Sequence, residues 1–307
     1  MSNPYNERSS SFVSDYIDQY PTGTGREVSF SPDSTYMAVA HSTTPVVTIY
    51  KRNGDTFTKL DNPEALPTGT GWGVSFSHDS TYMAVAHSDT PFVTIYKRNG
   101  DVFTKLDDPE ALPTGVGREV SFSHDSTYLA VVHSATPFVT IYKRNGDTFT
   151  KLDDPEALPT GTGLGVSFSH DNIYMAVAHE TTPFVTIYKR NGDTFTKLDN
   201  PEALPTWTGR GVSFSHDSTY LAVVHSTTPF VTIYKREGDV FTKLDDLEAL
   251  PTGTGYGVSF SHDSTYLAVA HVNLPYITVY MKIIILIMTL SAVQEEQFIK
   301  LGWVYAQ

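Results

Sequence analysis

All eleven histidines of this chain stand at equivalent points of one repeated unit. His41, His87, His133, His179, His225 and His271 recur at 46-residue intervals, and so do His78, His124, His170, His216 and His262. Imidazole is the commonest metal ligand and titrates nearest neutrality, so two such series invite a metal-binding reading. No copy carries the close ligand pairs that a zinc or facial-triad site needs. Equivalent residues of neighbouring units are expected well apart. Both series therefore read as hydrogen-bonding and capping groups, the first at strand ends and the second in turns, and neither a metal nor a cofactor is expected.

A second set of residues differs where everything around it repeats. The motif Pro-Thr-Gly-x-Gly-x-x-Val-Ser-Phe-Ser begins at Pro21, Pro67, Pro113, Pro159 and Pro251, and copy five varies it as Pro205-Thr206-Trp207. Just after its glycines the copies carry Arg26, Trp72, Arg118, Leu164, Arg210 and Tyr256. The adjacent loop varies too, through Asp89, Ala135, Glu180, Val272, Asn273 and Leu274. Arginines and large aromatics on glycine-rich loops stack and hydrogen-bond at little entropic cost, which suits a ligand. Unconstrained drift at exposed positions is the competing account. The six variable residues and Trp207 are the candidate ligand-binding set. A catalytic group would be expected in one copy only, yet Glu180, Trp207, Glu237 and Asn273 do not converge on a reaction. No enzyme is expected.

These residues need a frame, and a fixed period of about 40–50 residues means one supersecondary unit stacked repeatedly. In the second copy, Val74-Ser75-Phe76-Ser77 alternates as a short strand and His78-Asp79-Ser80 turns the chain. Tyr82 to His87 and Phe92 to Tyr96 are apolar, β-prone runs, and Asn99-Gly100-Asp101 is a hairpin turn. Val102 to Leu106 makes a more polar fourth strand, and Asp107 to Leu112 leads to the next unit. Four strands with an apolar inner three describe a propeller blade.

Phe30-Ser31-Pro32-Asp33 resembles the first-turn signature of the WD-repeat propellers and their YVTN-like relatives, a resemblance that spans residues 21–280. The Trp-Asp dipeptide of that family is replaced by Ile49-Tyr50-Lys51, so the chain looks like a divergent relative. The resemblance implies an all-β propeller of four-stranded antiparallel blades. Ser31-Pro32-Asp33-Ser34 is also similar to the Asp-box of sialidases in its Ser-x-Asp, but the Gly and Thr-Trp are missing. Each turn aspartate is expected to bridge locally to backbone.

Inner strands near Val28, Val74, Val120, Val166, Val212 and Val258 count six blades, with seven if residues 281–307 begin another. Phe12 to Tyr16, within a segment 9–20, matches an outer strand and is expected to close the last blade. The propeller is thus expected over residues 1–280 with a divergent tail at 281–307, for which an outer strand in competition with the N-terminus, the start of a seventh blade and a shifted reading frame are the alternatives. The Pro-Thr-Gly and His-Ser-Thr-Thr-Pro loops should share one face, and the His-Asp-Ser and Asn-Gly-Asp turns the other.

A net charge of −13 argues against wholesale nucleic-acid binding. The absence of cysteine excludes disulfides and thiol chemistry. No signal peptide is visible, and the apolar run Ile283 to Met288 is far short of a membrane helix, so a cytoplasmic or virion-associated chain is expected. The function expected is a non-enzymatic scaffold presenting variable loops to a protein or glycan. The alternatives are a structural part of a larger assembly and a funnel-site hydrolase or lyase.

Overall fold

The computed structural model describes residues 17–288 and 297–305, with side chains described as far as Lys282. Six antiparallel sheets of four strands each are arranged as the blades of a β-propeller, and no helix is present among the described residues. Blade one runs Gly25–Phe30, Tyr36–His41, Val47–Asn53 and Thr56–Lys59. Blade two repeats this as Gly71–Phe76, Tyr82–His87, Val93–Asn99 and Val102–Lys105. The pattern holds through blade five, which ends at Val240–Lys243. Valine, isoleucine and the aromatics that fill the inner strands are the residues best fitted to a pleated, buried surface.

The core lies between the blades. Tyr36, Ala38, Ala40, Val47 and Ile49 on the trailing face of blade one pack on Val74, Phe76, Met83, Val85, Tyr96 and Phe103 on the leading face of blade two. Four further clusters repeat this arrangement, ending between blades five and six. Both faces of the second strand are therefore covered, which explains why Tyr82–His87 is buried at every position. Polar ties accompany the packing. Asp79 N donates to Ser126 Oγ at 3.0 Å, Tyr82 Oη donates to Asp147 at 2.6 Å, and Arg144 bridges back to Asp79 at 3.1 Å.

The last blade departs from expectation. Its third strand is Ile277–Met288, and the position of its outer strand is taken by Gln297–Tyr305 from the tail. The pair stays in register from Tyr280↔Tyr305 to Met288↔Gln297. The tail thus supplies the strand expected from the N-terminal segment. Phe12 to Tyr16 lies outside the described residues. Ile17 instead makes a parallel bridge to Phe57, in the outer strand of blade one. Tyr50 Oη donates to Gln19 O at 2.7 Å, just as Tyr96 Oη donates to Ala65 O at 2.8 Å. Residues 17–20 therefore follow the path that each linker takes into the blade after it.

Among the described residues the ring is open on one side. Val28 and Phe30 of blade one are 53% and 54% exposed, whereas their equivalents Val74 and Phe76 are 2% and 6%. On blade six, Tyr266 and Ile277 are 41% and 54% exposed, while the equivalent Tyr36 and Val47 are buried. Phe76→Ala is expected to cost about 3–5 kcal/mol in urea denaturation, the range for an aromatic lost from a core. Phe30→Ala should cost less than about 1 kcal/mol, as at a surface site. Equal losses would mean that the first and last blades meet in solution.

Candidate functional site

Every candidate residue next to the glycines is the extra residue of a β-bulge. In blade two, Gly71 pairs with His87 and Gly73 with Ala86, which leaves Trp72 outside the ladder. The same irregularity frees Arg26, Arg118, Leu164, Arg210 and Tyr256. A bulge re-aims one side chain without disturbing the register beyond it, so this is a place where residue type can vary while the blade is conserved in shape. Glycine before the bulge is a steric requirement, because a Cβ on Gly71 would stand 2.6 Å from Val46 O of the preceding blade.

The bulges bring three of the candidates together. Arg26 of blade one and Arg118 of blade three both lie against the Trp72 ring, their guanidinium carbons 4.5 and 4.7 Å from its centroid. Trp72 Nε1 and Arg118 Nε are buried and have no hydrogen-bond partner. A second group forms where Arg210 lies over Tyr256 at 4.8 Å and donates from Nε to Ser226 Oγ at 3.0 Å. Leu164 sits half-buried between the two groups in blade order. Trp207 is 57% exposed further out, tilted on Phe184 at 6.1 Å, and does not join either group.

Directly after the bulge the sequence reading missed a carboxyl pair. The position holds glycine in four blades but Glu27 in blade one and Glu119 in blade three. Glu27 crosses Gly73 of the blade between them, accepts a hydrogen bond from Val74 N at 2.9 Å, and bonds to the Glu119 carboxyl. A Cβ on Gly73 would meet Glu119 Cα at 2.9 Å and Glu27 Oε2 at 3.1 Å. Burial raises both carboxyls, and the repulsion of Glu27 adds to burial in holding Glu119 well above its ordinary value. Both environments favour the neutral form of the carboxyl over the charged one. The signal was available, since Arg-Glu-Val replaces residue-Gly-Val in two copies.

The histidines divide as the repeat implies, but one expectation fails. In the strand-end series each imidazole is buried and shares a hydrogen bond with a strand threonine, as His87 Nε2 does with Thr94 Oγ1 at 2.9 Å. Burial depresses His87, His133, His179 and His225 to about 4. The turn series is not spread out. His78, His124, His170, His216 and His262 stack in sequence with successive ring centroids 3.6, 4.3, 3.7 and 3.7 Å apart. These turns follow the innermost strands, which converge on the propeller axis, so a 46-residue separation becomes a ring contact. Burial, then the neighbouring imidazoles, depress His170 to about 3. Among the described residues, no three such side chains are arranged to hold a metal ion. The turn aspartates bridge locally as expected: Ser77 Oγ and Thr81 N both donate to Asp79 Oδ1, at 2.6 and 2.9 Å.

At the rim, equivalent clefts of 900 to 940 Å³ separate linkers from outer strands, as between Lys59–Ala65 and Asp101–Lys105. They are lined by residues that repeat, with surface pairs such as Lys105–Asp108 at 2.6 Å. No helix among the described residues is long and apolar enough to cross a membrane.

No protein-family model and no curated protein matches the chain. Solved structures do. Hydrazine synthase of Kuenenia stuttgartiensis is similar at a TM-score of 0.67 and 15% identity, over 86% of this chain and 80% of that one. A protein from Lactobacillus plantarum is similar at 0.66 and 15%, over 91% and 84%. A functionally unknown protein from Desulfotomaculum acetoxidans is similar at 0.65 and 14%, over 85% and 83%. At these identities the likeness is one of fold, and it supports the propeller.

Two opposite pH dependences follow. Between the ordinary carboxyl value and the raised folded one, the folded chain holds more protons than the unfolded chain. The contribution of the Glu27–Glu119 pair to stability therefore falls as pH rises through that window. Glu119→Gln should be more stable than the parent in urea at pH 7, with the difference shrinking as pH approaches 4.5. A variant no more stable than the parent at pH 7 would refute the raised Glu119 carboxyl. The buried strand-end histidines act the other way, because the unfolded chain takes up protons first. Stability held above pH 6.5 should be lost as pH falls towards 4, by up to about 1.4 kcal/mol per pH unit for each. A melting temperature flat from pH 6.5 to 4.5 would contradict this.

Proposed function

We propose that the chain is a non-enzymatic binding scaffold whose recognition site is the inner rim of the Pro-Thr-Gly face, for a protein or glycan ligand that carries an anionic group. The observation that supports this is the Arg26–Trp72–Arg118 group, built on bulges from three blades where the rest of the repeat is nearly constant. Trp72 lies between two guanidiniums, which makes it a support for the arginines more than a platform for a sugar ring. The buried, unpartnered Trp72 Nε1 and Arg118 Nε are donors, so they call for an acceptor. Burial opposes ionisation of the two carboxyls, which leaves the arginines the dominant charge of the group, and a guanidinium fork suits a carboxylate or sulfate. Arg210 with Tyr256 offers a second, smaller contact of the same kind.

An enzyme is the second reading, favoured by the raised Glu27–Glu119 carboxyls, since a protonated acid at neutral pH is a general-acid candidate. The two hydrogen-bond directly, whereas the carboxyls of glycosidases stand about 5 Å or more apart. Binding is therefore preferred. The test compares the chain with its Arg26→Ser/Arg118→Ser variant on arrays of acidic peptides and of sialylated, sulfated and neutral glycans. Anionic probes should be retained by the parent and weakened at least about tenfold in the variant. Equal retention by both would remove the site from this face.

A further inference from the structure

The opening in the ring is a built interface with one side missing. Each of the five formed interfaces joins a trailing set of Tyr, Ala, Ala, Val and Ile to a leading set of Val, Phe, Met or Leu, Val, Tyr and Phe, or closely similar residues. Blade one still presents the leading set through Val28 and Phe30, and blade six the trailing set through Tyr266, Ala270 and Ile277. The polar ties are divided in the same way. Arg98, Arg144, Arg190 and Arg236 each bridge to an aspartate of the preceding blade, but Arg52 turns back to Gly54 O at 2.9 Å. Ser80, Ser126, Ser218 and Ser264 are buried as they accept from the preceding blade, while the equivalent Ser34 is exposed.

We infer that this opening takes one further four-stranded blade of the same repeat, supplied by polypeptide outside the six blades. Near-identical interfaces impose near-identical rotations from blade to blade, and after six blades the two ends have not met. An inserted blade would cover the leading face of blade one with its trailing set and the trailing face of blade six with its leading set. It would also offer an aspartate to Arg52 and an arginine to Asp263. Residues 17–20 already run along blade one as a linker arriving from a preceding blade, although the outer strand of blade six is filled by Gln297–Tyr305. A whole second copy does not fit by these contacts. With its first blade seated in the opening, its second would fall where blade one of this chain stands.

The test uses the full chain with the recombinant repeat unit of residues 205–250 as probe, read by hydrogen exchange and light scattering. In a second format the same unit is duplicated in line after Leu250, which keeps the test decisive if the free unit does not fold. Added in either format, the unit should protect the amides of Gly25–Phe30 and Tyr266–His271. Protection by the free unit should require at least about tenfold more probe in the Phe30→Arg/Ile277→Arg chain. Absence of protection in both formats overturns the proposal. So does full protection of both strands in the chain alone, which would mean that six blades close on themselves. A dimer of the chain that depends on Phe30 and Ile277 overturns it as well.

Discussion

The packing of one blade on the next is the interaction from which the rest of the structure follows. Each interface sets small residues, Ala38 and Ala40 in the first, against large ones, Phe76, Met83, Tyr96 and Phe103. The same complementary fit recurs at every interface, so each sheet is set against the last in the same way and the inner strands converge at the axis. Convergence then dictates the inner strand. A Cβ on Gly165 would stand 2.9 Å from Gly211 Cα, so glycine is retained where neighbouring inner strands nearly touch. The stacked imidazoles express the same convergence on the opposite face.

Where the axis is this crowded, a side chain at the inner rim needs either a bulge to aim it or a neighbour with none. Both devices occur. The bulge frees Trp72 and its equivalents from the ladder, and Gly73 clears the space through which Glu27 reaches Glu119. Two blades of six carry the glutamate, and the blade between them carries glycine. The charged and aromatic residues on this rim are thus accommodated in pairs across blades, which makes the site a property of the assembled ring and not of any single repeat.

The blade itself was readable because its signals are local. Asn-Gly-Asp turns, alternating Val-Ser-Phe-Ser and runs such as Tyr-Met-Ala-Val-Ala-His each specify a strand or turn without reference to the rest of the chain. The turn aspartate was readable for the same reason. What depends on the radius of the ring was not. The spacing of His78 and His124 along the chain says nothing of a 3.6 Å contact between their rings, and a count of strands leaves six blades or seven open. The outer strand of blade six had two candidates, the N-terminal segment and the tail; Gln297–Tyr305 does not share the repeat's composition, and its pairing with Ile277–Met288 decides for the tail. Glu27 and Glu119 were legible as departures from glycine but were passed over beside the more conspicuous arginines.

The opening and the proposed recognition site are not independent. Arg26 begins one group of rim residues at the first blade, and Tyr256 ends the other at the sixth, so the two groups border the opening from either side. A blade seated there would place its own bulge residue between Tyr256 and Arg26 and join the two groups into one rim. It would also cover the exposed side of blade one, where Glu27 lies half-buried and Arg26 is exposed. Removing water from that side lowers the local dielectric around Arg26 and Glu27, so charge–charge interactions there become stronger. The packing that completes the ring would therefore also tune the charge of the proposed binding face, because both depend on the first blade having a neighbour.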